Sequence, residues 1–179
     1  MEMNARAETY KHIRRVNELT VGVAKQLLDR AVAHDASKLE SPEAELFEAN
    51  TAKLAGLTYG SDEYRAALAE LKPALDHHYA NNRHHPEFHT GLCCIGCFKA
   101  FPKDWNRCCD VCGNTVYPDD KHTLRGMNLI DLLEMLCDWK AAGERHANGD
   151  LLRSIEVNQK RFGYSDELKQ ILLNTVGSL

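Results

Sequence analysis

The sequence lacks long apolar runs: it contains no stretch of about 18 consecutive apolar residues, the length that a membrane-spanning helix needs. Its first residues carry charges without a following apolar segment, so we also expect no signal peptide. With 5 Pro and 11 Gly in 179 residues, collagen-like and low-complexity chains are excluded. A strong net charge is lacking too, because the formal value is only −4. This value argues against a protein whose whole surface binds nucleic acid. We therefore expect a globular, cytoplasmic protein with no membrane partner.

Apolar residues recur with helical spacing over most of the chain, and alternating runs long enough for β-strands are absent. This pattern predicts an all-α fold, built as one compact domain with a modest insertion. The first helix should cover residues 5–33, with a bend at Thr20–Val23, where β-branched residues and a glycine are poorer helix formers. Capping residues place later helix starts at Ser41, Ser61, Asn128, Asp150 and Ser165.

Cysteine is unevenly distributed, because six of the seven lie between Cys93 and Cys112. We assign residues 91–122 to an insertion in a helical domain that comprises residues 1–90 and 123–179. Two CxxC motifs in the insertion predict the ligands of a structural Zn²⁺, as in a zinc ribbon: Cys94, Cys97, Cys109 and Cys112. Four thiolates leave no open coordination position, so this zinc should be catalytically inert.

Cys93 and Cys108 adjoin the two motifs and allow a shifted set of ligands, although the inner cysteines suit CxxC geometry better. Zinc ribbons often bind nucleic acid, but the charges of the insertion cancel. They belong to Lys99, Lys103, Arg107, Lys121, Asp104, Asp110, Asp119 and Asp120. Because phosphate affinity depends on excess Lys and Arg, nucleic acid is a disfavoured partner. A lid, a specificity element or a contact in a homodimer fits the insertion better.

A second group of metal-binding residue types lies in the helical part. His34 and Asp35 are adjacent at the end of the first helix, and an imidazole beside a carboxylate can reach one metal ion. His12 shares the apolar stripe of that helix, so it should point inward, either as a hydrogen-bonded core residue or as a ligand. Three acids share an arc of roughly 60° on a later helix, either as a solvated face or as part of a site: Asp131, Glu134 and Asp138.

Together these residues resemble the HD-domain metal-dependent phosphohydrolases, in which a His, a later His-Asp pair and a distant Asp hold the metal. The resemblance assigns the ligands to His12, His34, Asp35 and Asp138, and residues 136–142 are similar to the family's last motif. Residues 34–37, His-Asp-Ala-Ser, match the 5′-deoxynucleotidase branch. The chain as a whole also resembles an uncharacterised phage and bacterial family, which brings no established activity. The resemblance implies an HD-type domain with divalent Mn²⁺, Co²⁺, Fe²⁺, Zn²⁺ or Mg²⁺, in bacterial or phage-infected cytoplasm.

Two features depart from the HD pattern. Lys38 stands where the deoxynucleotidases carry a Glu that protonates the leaving group. The candidates for this acid in the present chain are Glu40, Glu43 and Glu134. His12 and His34 are 22 residues apart, which is short for the family. In one unbroken helix, with a rise of ~1.5 Å per residue, they would lie roughly 33 Å apart and could not share an ion. The helix must therefore bend, or His12 is not a ligand.

If His12 is not a ligand, the histidines between the His-Asp pair and the last Asp are the reserve: His77, His78, His84, His85 and His89. HD enzymes with two metals recruit histidines from this interval, so a dinuclear centre is an open alternative, and Asp131 is a further candidate ligand. The planar guanidinium of Arg83 would clamp a phosphate. Lys38 would neutralise charge on the phosphoryl oxygens, and Glu43 or Glu134 would orient water or protonate the departing oxygen.

The expected function is hydrolysis of a phosphate ester in a small nucleotide, and the resemblance suggests a deoxynucleoside 5′-monophosphate. One alternative is a phosphodiesterase of a cyclic or signalling nucleotide, for which a dinuclear centre would be an argument. Another is a non-catalytic protein, in which the ribbon docks a partner and the histidine and aspartate residues hold a metal or nucleotide without turnover.

Overall fold

The fold is all-α, as predicted, with three short strands in the cysteine-rich segment. The structure is a computed structural model that describes residues 5–57, 61–89, 91–94, 96–97, 100–101, 107–119, 124–145 and 149–179. Its helices are α1 (Ala5–Ala33), α2 (Glu43–Ala55), α3 (Asp62–Glu70), α4 (Lys72–Asn81), α5 (Leu129–Glu144), α6 (Leu151–Phe162) and α7 (Asp166–Val176). None of these helices combines the length and the apolar character that crossing a membrane requires.

The chain divides into two compact units, of which the first ends at His34 and the second begins at Asp35. This division coincides with neither edge of the predicted insertion. Residues 120–123, where that insertion should end, lie outside the described residues. The assignment of 1–90 and 123–179 to one domain therefore stays a prediction.

In the first unit, α1 is one unbroken helix of 29 residues, so the predicted bend at Thr20–Val23 is wrong. The unfavourable helix propensities of Thr, Val and Gly amount to less than about 1 kcal/mol each, which a long helix tolerates. His12 is exposed rather than turned inward. At a rise of ~1.5 Å per residue it lies roughly 33 Å from His34. The bend that His12 needed to become a ligand is absent, so His12 cannot share an ion with His34 in one chain.

Most predicted helix starts are confirmed by side-chain caps. Asn128 forms a capping box with Asp131 at the start of α5. The hydroxyls of Ser61 and Ser165 and the carboxylate of Asp150 accept backbone hydrogen bonds at the starts of α3, α7 and α6. Ser41 is the exception, because α2 begins at Glu43 behind Pro42, without a side-chain cap.

The main core of the second unit lies where α5, α6 and α7 pack together. Trp139 of α5 stacks on Phe162 of α6 with the ring planes 6° apart. The buried side chains of this core are Leu124, Met135, Leu136, Ile155, Phe162, Tyr164 and Leu172. Helices α2, α3 and α4 form a second packed group, with Ala67, Leu71 and Ala74 buried in it. This second group carries several residues of the candidate site.

The cysteine-rich segment forms a three-stranded antiparallel sheet. Its strands are β1 (Gly91–Cys94), β2 (Ala100–Phe101) and β3 (Val116–Asp119), in the order β2-β1-β3. Cys94 at the end of β1 pairs with Val116 at the start of β3. The sheet thus brings the first CxxC motif next to the segment that follows the second.

Helix α5 turns part of its acidic face inward. Asp131 is fully buried and Glu134 nearly so, whereas Leu129 is 80% exposed. A solvated acidic face is therefore wrong for these two acids. Their burial requires polar partners, because an uncompensated carboxylate in an apolar interior is costly.

The orientation of α5 can be tested with two leucines of the same helix. We expect Leu136→Ala to lower the free energy of unfolding by about 2–5 kcal/mol, because it leaves a cavity in the core. The matched control Leu129→Ala should change it by less than about 0.5 kcal/mol, because this side chain is exposed. Denaturant unfolding of both variants measures the difference. Equal losses would show that α5 is rotated differently.

Candidate metal centres

Four cysteine side chains meet beside the small sheet. The sulfurs of Cys94 and Cys112 lie 3.4 Å apart, and those of Cys97 and Cys109 also lie 3.4 Å apart. All four sulfurs are within 4.8 Å of one another, so they can hold one metal ion. These are the inner cysteines of the two motifs, in agreement with the predicted ligand set.

Hydrogen bonds around the sulfurs stabilise the thiolate form. The backbone N–H groups of Gly96 and Val111 donate to the first sulfur of each CxxC motif, at 3.3 and 3.4 Å. Donation from the backbone and the side-chain amide of Asn114 lowers the pKa of the Cys112 thiol to about 6. Because a thiolate and not a thiol ligates metals, these donors favour binding.

Two neighbouring cysteines test the four-cysteine cluster. Cys109→Ser removes one of the clustered sulfurs and should abolish tight metal binding there, lowering the metal content by one equivalent per chain. Cys108 is exposed and outside the cluster, so Cys108→Ser should leave the content unchanged. Elemental analysis of the purified proteins measures both. A loss in Cys108→Ser with retention in Cys109→Ser would establish the shifted ligand set instead.

The second unit brings Asp35, His78, His84 and His85 to one point. Asp35 has a left-handed backbone with φ 56°, which aspartate tolerates better than most residues. His78 lies in the last turn of α4, and His84 and His85 lie in the turn that follows it. One ligand atom of each residue lies within 4.8 Å of those of the other three. These three histidines are among those predicted as ligands if His12 is not one.

Asp35 Oδ1 is the atom on which two imidazoles converge. It lies 3.2 Å from Nε2 of His78 and 3.4 Å from Nε2 of His84. Nε2 of His85 lies 2.9 Å from Nε2 of His78. An oxygen of Asp138 also lies within 4.8 Å of an Asp35 oxygen. Imidazole nitrogens beside carboxylate oxygens are a donor set that divalent metals accept, so these residues fit a metal ion.

Glu43 lies behind His78 and is fully buried. Its two oxygens are 2.7 Å from Nδ1 of His77 and 2.9 Å from Nδ1 of His78. Although burial raises the pKa of Glu43, hydrogen bonds from His77, Ser37 and His78 hold it below its usual value. A buried carboxylate that stays ionised does not fit the predicted role of leaving-group acid. Glu43 instead supports the His78 ring.

Glu134 supports the ring of His84 in the same way. Its Oε1 lies 3.1 Å from Nδ1 of His84, whose Nε2 faces Asp35. Metal-ligating histidines commonly have a carboxylate on the nitrogen that does not bind the metal. Glu134 was predicted as an acid or water-orienting residue, and the structure gives it this supporting contact.

His85 is the third imidazole of the cluster. Burial, followed by the neighbouring His84 and His78, lowers the pKa of His85 to about 3, against the opposing effect of Asp138 and Asp35. The ring is therefore neutral at neutral pH. The neutral imidazole is the form that binds metals.

Lys38 forms a salt bridge with Oδ2 of Asp35, the oxygen that does not face His78 and His84. Its Nζ lies 2.6 Å from Asp35 Oδ2 and 5.4 Å from the centre of the Phe47 ring. Asp35 thus faces histidines with one oxygen and an ammonium group with the other. Neutralisation of substrate charge by Lys38 stays a prediction.

Arg83 and Asp131 form a salt bridge with each other. Arg83 donates from Nε and from one terminal nitrogen to the two Asp131 oxygens, at 3.3 and 3.1 Å. Asp131 also accepts the backbone N–H of Asn128 in the capping box. These bonds engage both oxygens of the carboxylate, and a role of Asp131 as a metal ligand stays a prediction.

Three further histidines were predicted as candidate ligands: His34, His77 and His89. His34 is half-buried and ends the first unit, directly before Asp35. His77 is held by Glu43, and His89 donates to the backbone carbonyl of Arg83 at 2.8 Å. Asn82 was not predicted as a site residue, but it donates to Ser37 Oγ and to the His78 carbonyl. The only sequence signal for it is its position close to the histidines.

The composition of the cluster can be tested by Mn²⁺ binding, because four thiolates are poor ligands for this ion. We expect His84→Ala to weaken Mn²⁺ binding by more than about tenfold, since it removes a ligand nitrogen. The control His12→Ala should leave the affinity unchanged, because α1 keeps this residue far from His34. Calorimetric titration distinguishes the two. A loss in His12→Ala would return His12 to the ligand set.

The fold and the two clusters define an all-α protein whose described residues can hold metal at a four-cysteine centre and at a histidine-aspartate centre. Residues 1–178 match a family of unknown function, DUF5662. The chain therefore belongs to the DUF5662 family. No curated protein and no solved structure matches the chain.

Proposed function

We propose that the protein is a metal-dependent phosphohydrolase that cleaves a phosphate ester of a small nucleotide, with deoxynucleoside 5′-monophosphates as the favoured substrates. The observation that carries this proposal is the convergence of Asp35, His78, His84 and His85, with two of the imidazoles backed by buried carboxylates. Histidine and carboxylate ligands supported in this way are typical of metal centres that hydrolyse phosphate esters. The HD-type motif in the sequence supports the same class.

Asp138 completes the proposed ligand set. Its carboxylate has an oxygen within 4.8 Å of an Asp35 oxygen. His34 ends the first unit, and its role as a ligand stays a prediction. Asp35 thus has histidine nitrogens and a second carboxylate as neighbours, an arrangement suited to bridging two ions. This observation favours, as the second candidate function, a phosphodiesterase of a cyclic or signalling nucleotide with a dinuclear centre.

A divalent ion at this centre would lower the pKa of a water molecule and polarise a phosphoryl oxygen. Lys38 holds a positive charge 2.6 Å from Asp35, where it would neutralise charge on the phosphoryl oxygens of a substrate. Arg83 would have to break its salt bridge with Asp131 before it could bind a phosphate. We therefore assign the main cationic role to Lys38.

We further assign a structural Zn²⁺ to the four cysteines, since Zn²⁺ favours tetrahedral thiolate ligation. Cysteines kept as thiolates fit the reducing cytoplasm of a bacterium or an infected host cell better than an oxidising compartment. The ribbon would serve as a lid, a specificity element or a dimer contact. This would leave the chemistry to the histidine-aspartate centre.

The proposal is tested by a screen of nucleotides for phosphate release with added Mn²⁺, Co²⁺ or Mg²⁺, after the metal content per chain has been measured. We expect turnover that requires the added ion and that falls by more than about 100-fold in Asp35→Ala, while the ribbon zinc is retained. Asp76→Ala on α4 is the control, because this exposed carboxylate pairs with Lys72 and lies outside the cluster.

Two results would contradict the proposal. One is a single zinc per chain with no ion-dependent release from any nucleotide, which would favour the non-catalytic alternative. The other is equal activity of Asp35→Ala and wild type, since the cluster would then have no part in turnover.

A further inference from the structure

We propose that Glu43 and Glu134 are positioning residues that set the tautomers of His78 and His84. Each carboxylate holds the ring hydrogen on Nδ1, so that each Nε2 presents a lone pair toward Asp35. This inference rests on the proposed metal function, because an imidazole nitrogen ligates a metal only through its lone pair.

The contacts around His78 favour one distribution of hydrogens. Asn82 Nδ2 carries two hydrogens and has three acceptors within reach, namely Ser37 Oγ at 2.8 Å and the carbonyl and Nδ1 of His78, each at 2.9 Å. We assign the hydrogens to Ser37 Oγ and the carbonyl, because Nδ1 also faces the Glu43 carboxylate. The Ser37 hydroxyl then donates to Glu43 Oε2 at 3.1 Å. Nδ1 of His78 lies 2.9 Å from the same carboxylate oxygen. An ionised carboxylate only accepts, and Nε2 lies farther from a carboxylate, at 3.2 Å from Asp35 Oδ1. The shorter contact with Glu43 therefore favours the ring hydrogen on Nδ1.

Glu134 places the same constraint on His84 from another helix. Its Oε1 lies 3.1 Å from His84 Nδ1, and His84 Nε2 lies 3.4 Å from Asp35 Oδ1. Glu43 begins α2, whereas Glu134 lies in α5. Two elements distant in sequence therefore orient two rings toward one oxygen. Such supporting carboxylates typically contribute 10–100-fold to metal affinity.

His85 provides an internal contrast. Its Nε2 lies 2.9 Å from Nε2 of His78, and a hydrogen bond at this distance needs one hydrogen. Because His78 carries its hydrogen on Nδ1, His85 supplies this one from Nε2 in the metal-free protein. Neighbouring rings of the cluster should therefore have opposite tautomers.

The tautomers can be observed directly in the metal-free full chain by long-range ¹H–¹⁵N NMR, at a pH above the usual imidazole pKa of about 6.5. We expect hydrogen on Nδ1 for His78 and His84, and on Nε2 for His85. Wild-type protein with the hydrogens of His78 and His84 on Nε2 would overturn the inference, whatever the variants do.

Substitutions of each glutamate separate positioning from packing. Glu43→Gln and Glu134→Gln keep one acceptor oxygen, so we expect the tautomers to persist and Mn²⁺ affinity to fall only a few-fold. Glu43→Leu and Glu134→Leu fill the space without an acceptor. In these variants the hydrogen of the affected ring should move, and affinity should fall by about 10–100-fold. A packing role alone predicts unchanged tautomers in the Leu variants, which would refute positioning.

Glu87 offers a matched control. Like Glu43 and Glu134 it is a largely buried glutamate near the histidines, since its side chain is 12% exposed and it follows His84 and His85 in sequence. Unlike them, it pairs with Arg161, at 2.8 Å. Glu87→Gln and Glu87→Leu should change neither the tautomers nor Mn²⁺ binding. The two proposals also fail separately. Mn²⁺ binding with tautomers that do not depend on the glutamates overturns this inference alone. Glutamate-dependent tautomers without binding of any divalent ion support it and overturn the proposed function.

Discussion

The hydrogen bond between the His78 ring and the buried Glu43 carboxylate is the contact on which the geometry of the candidate centre depends. A carboxylate in the interior is costly unless hydrogen bonds compensate for its lost hydration. Ser37, His77 and His78 supply that compensation. Because Glu43 begins α2 and His78 lies in the last turn of α4, the same bond joins two helices and turns one ring nitrogen toward Asp35. Stability and the orientation of a ligand atom thus come from one interaction.

Helix α5 follows the same principle with two further acids. Asp131 is buried against Arg83 and the N-terminus of its own helix, and Glu134 is buried against His84. The first contact secures the start of α5, and the second orients another imidazole. Asp131 and Glu134 lie on the same helix face but have different structural roles, because their hydrogen-bond partners differ. A carboxylate held by a guanidinium and a helix N-terminus is fixed in position by charge-assisted hydrogen bonds.

The two metal clusters differ in how far sequence could predict them. A CxxC motif places two sulfurs on one turn, so its geometry is local. The four cysteines that the structure brings together are the predicted ones. The histidine-aspartate cluster combines residues more than forty positions apart, from Asp35 to His85. Motif resemblance correctly indicated Asp35 and Asp138 as neighbours. It also indicated His12, but an unbroken α1 excludes sharing of an ion with His34, because a few poor helix formers cannot bend a helix of 29 residues.

Glu43 shows the other limit of sequence reasoning. Its position near the His-Asp motif suggested a catalytic acid. Burial raises the pKa of this carboxyl group, yet hydrogen bonds from His77, Ser37 and His78 hold it below its usual value. Neither its burial nor its partners can be read from the residues beside it. The supporting role of a carboxylate is set by long-range packing.

Sequence by itself determined the features that depend on residues a few positions apart: the helical class, most helix starts and the four cysteines that cluster. Their physical basis is local hydrogen bonding and turn geometry, which operate within one or two turns of the chain. Tertiary structure alone decided which histidines meet Asp35 and which acids stand behind them. Those contacts arise from the packing of α2, α4 and α5, where the need to compensate each buried charge selects a partner from a distant element.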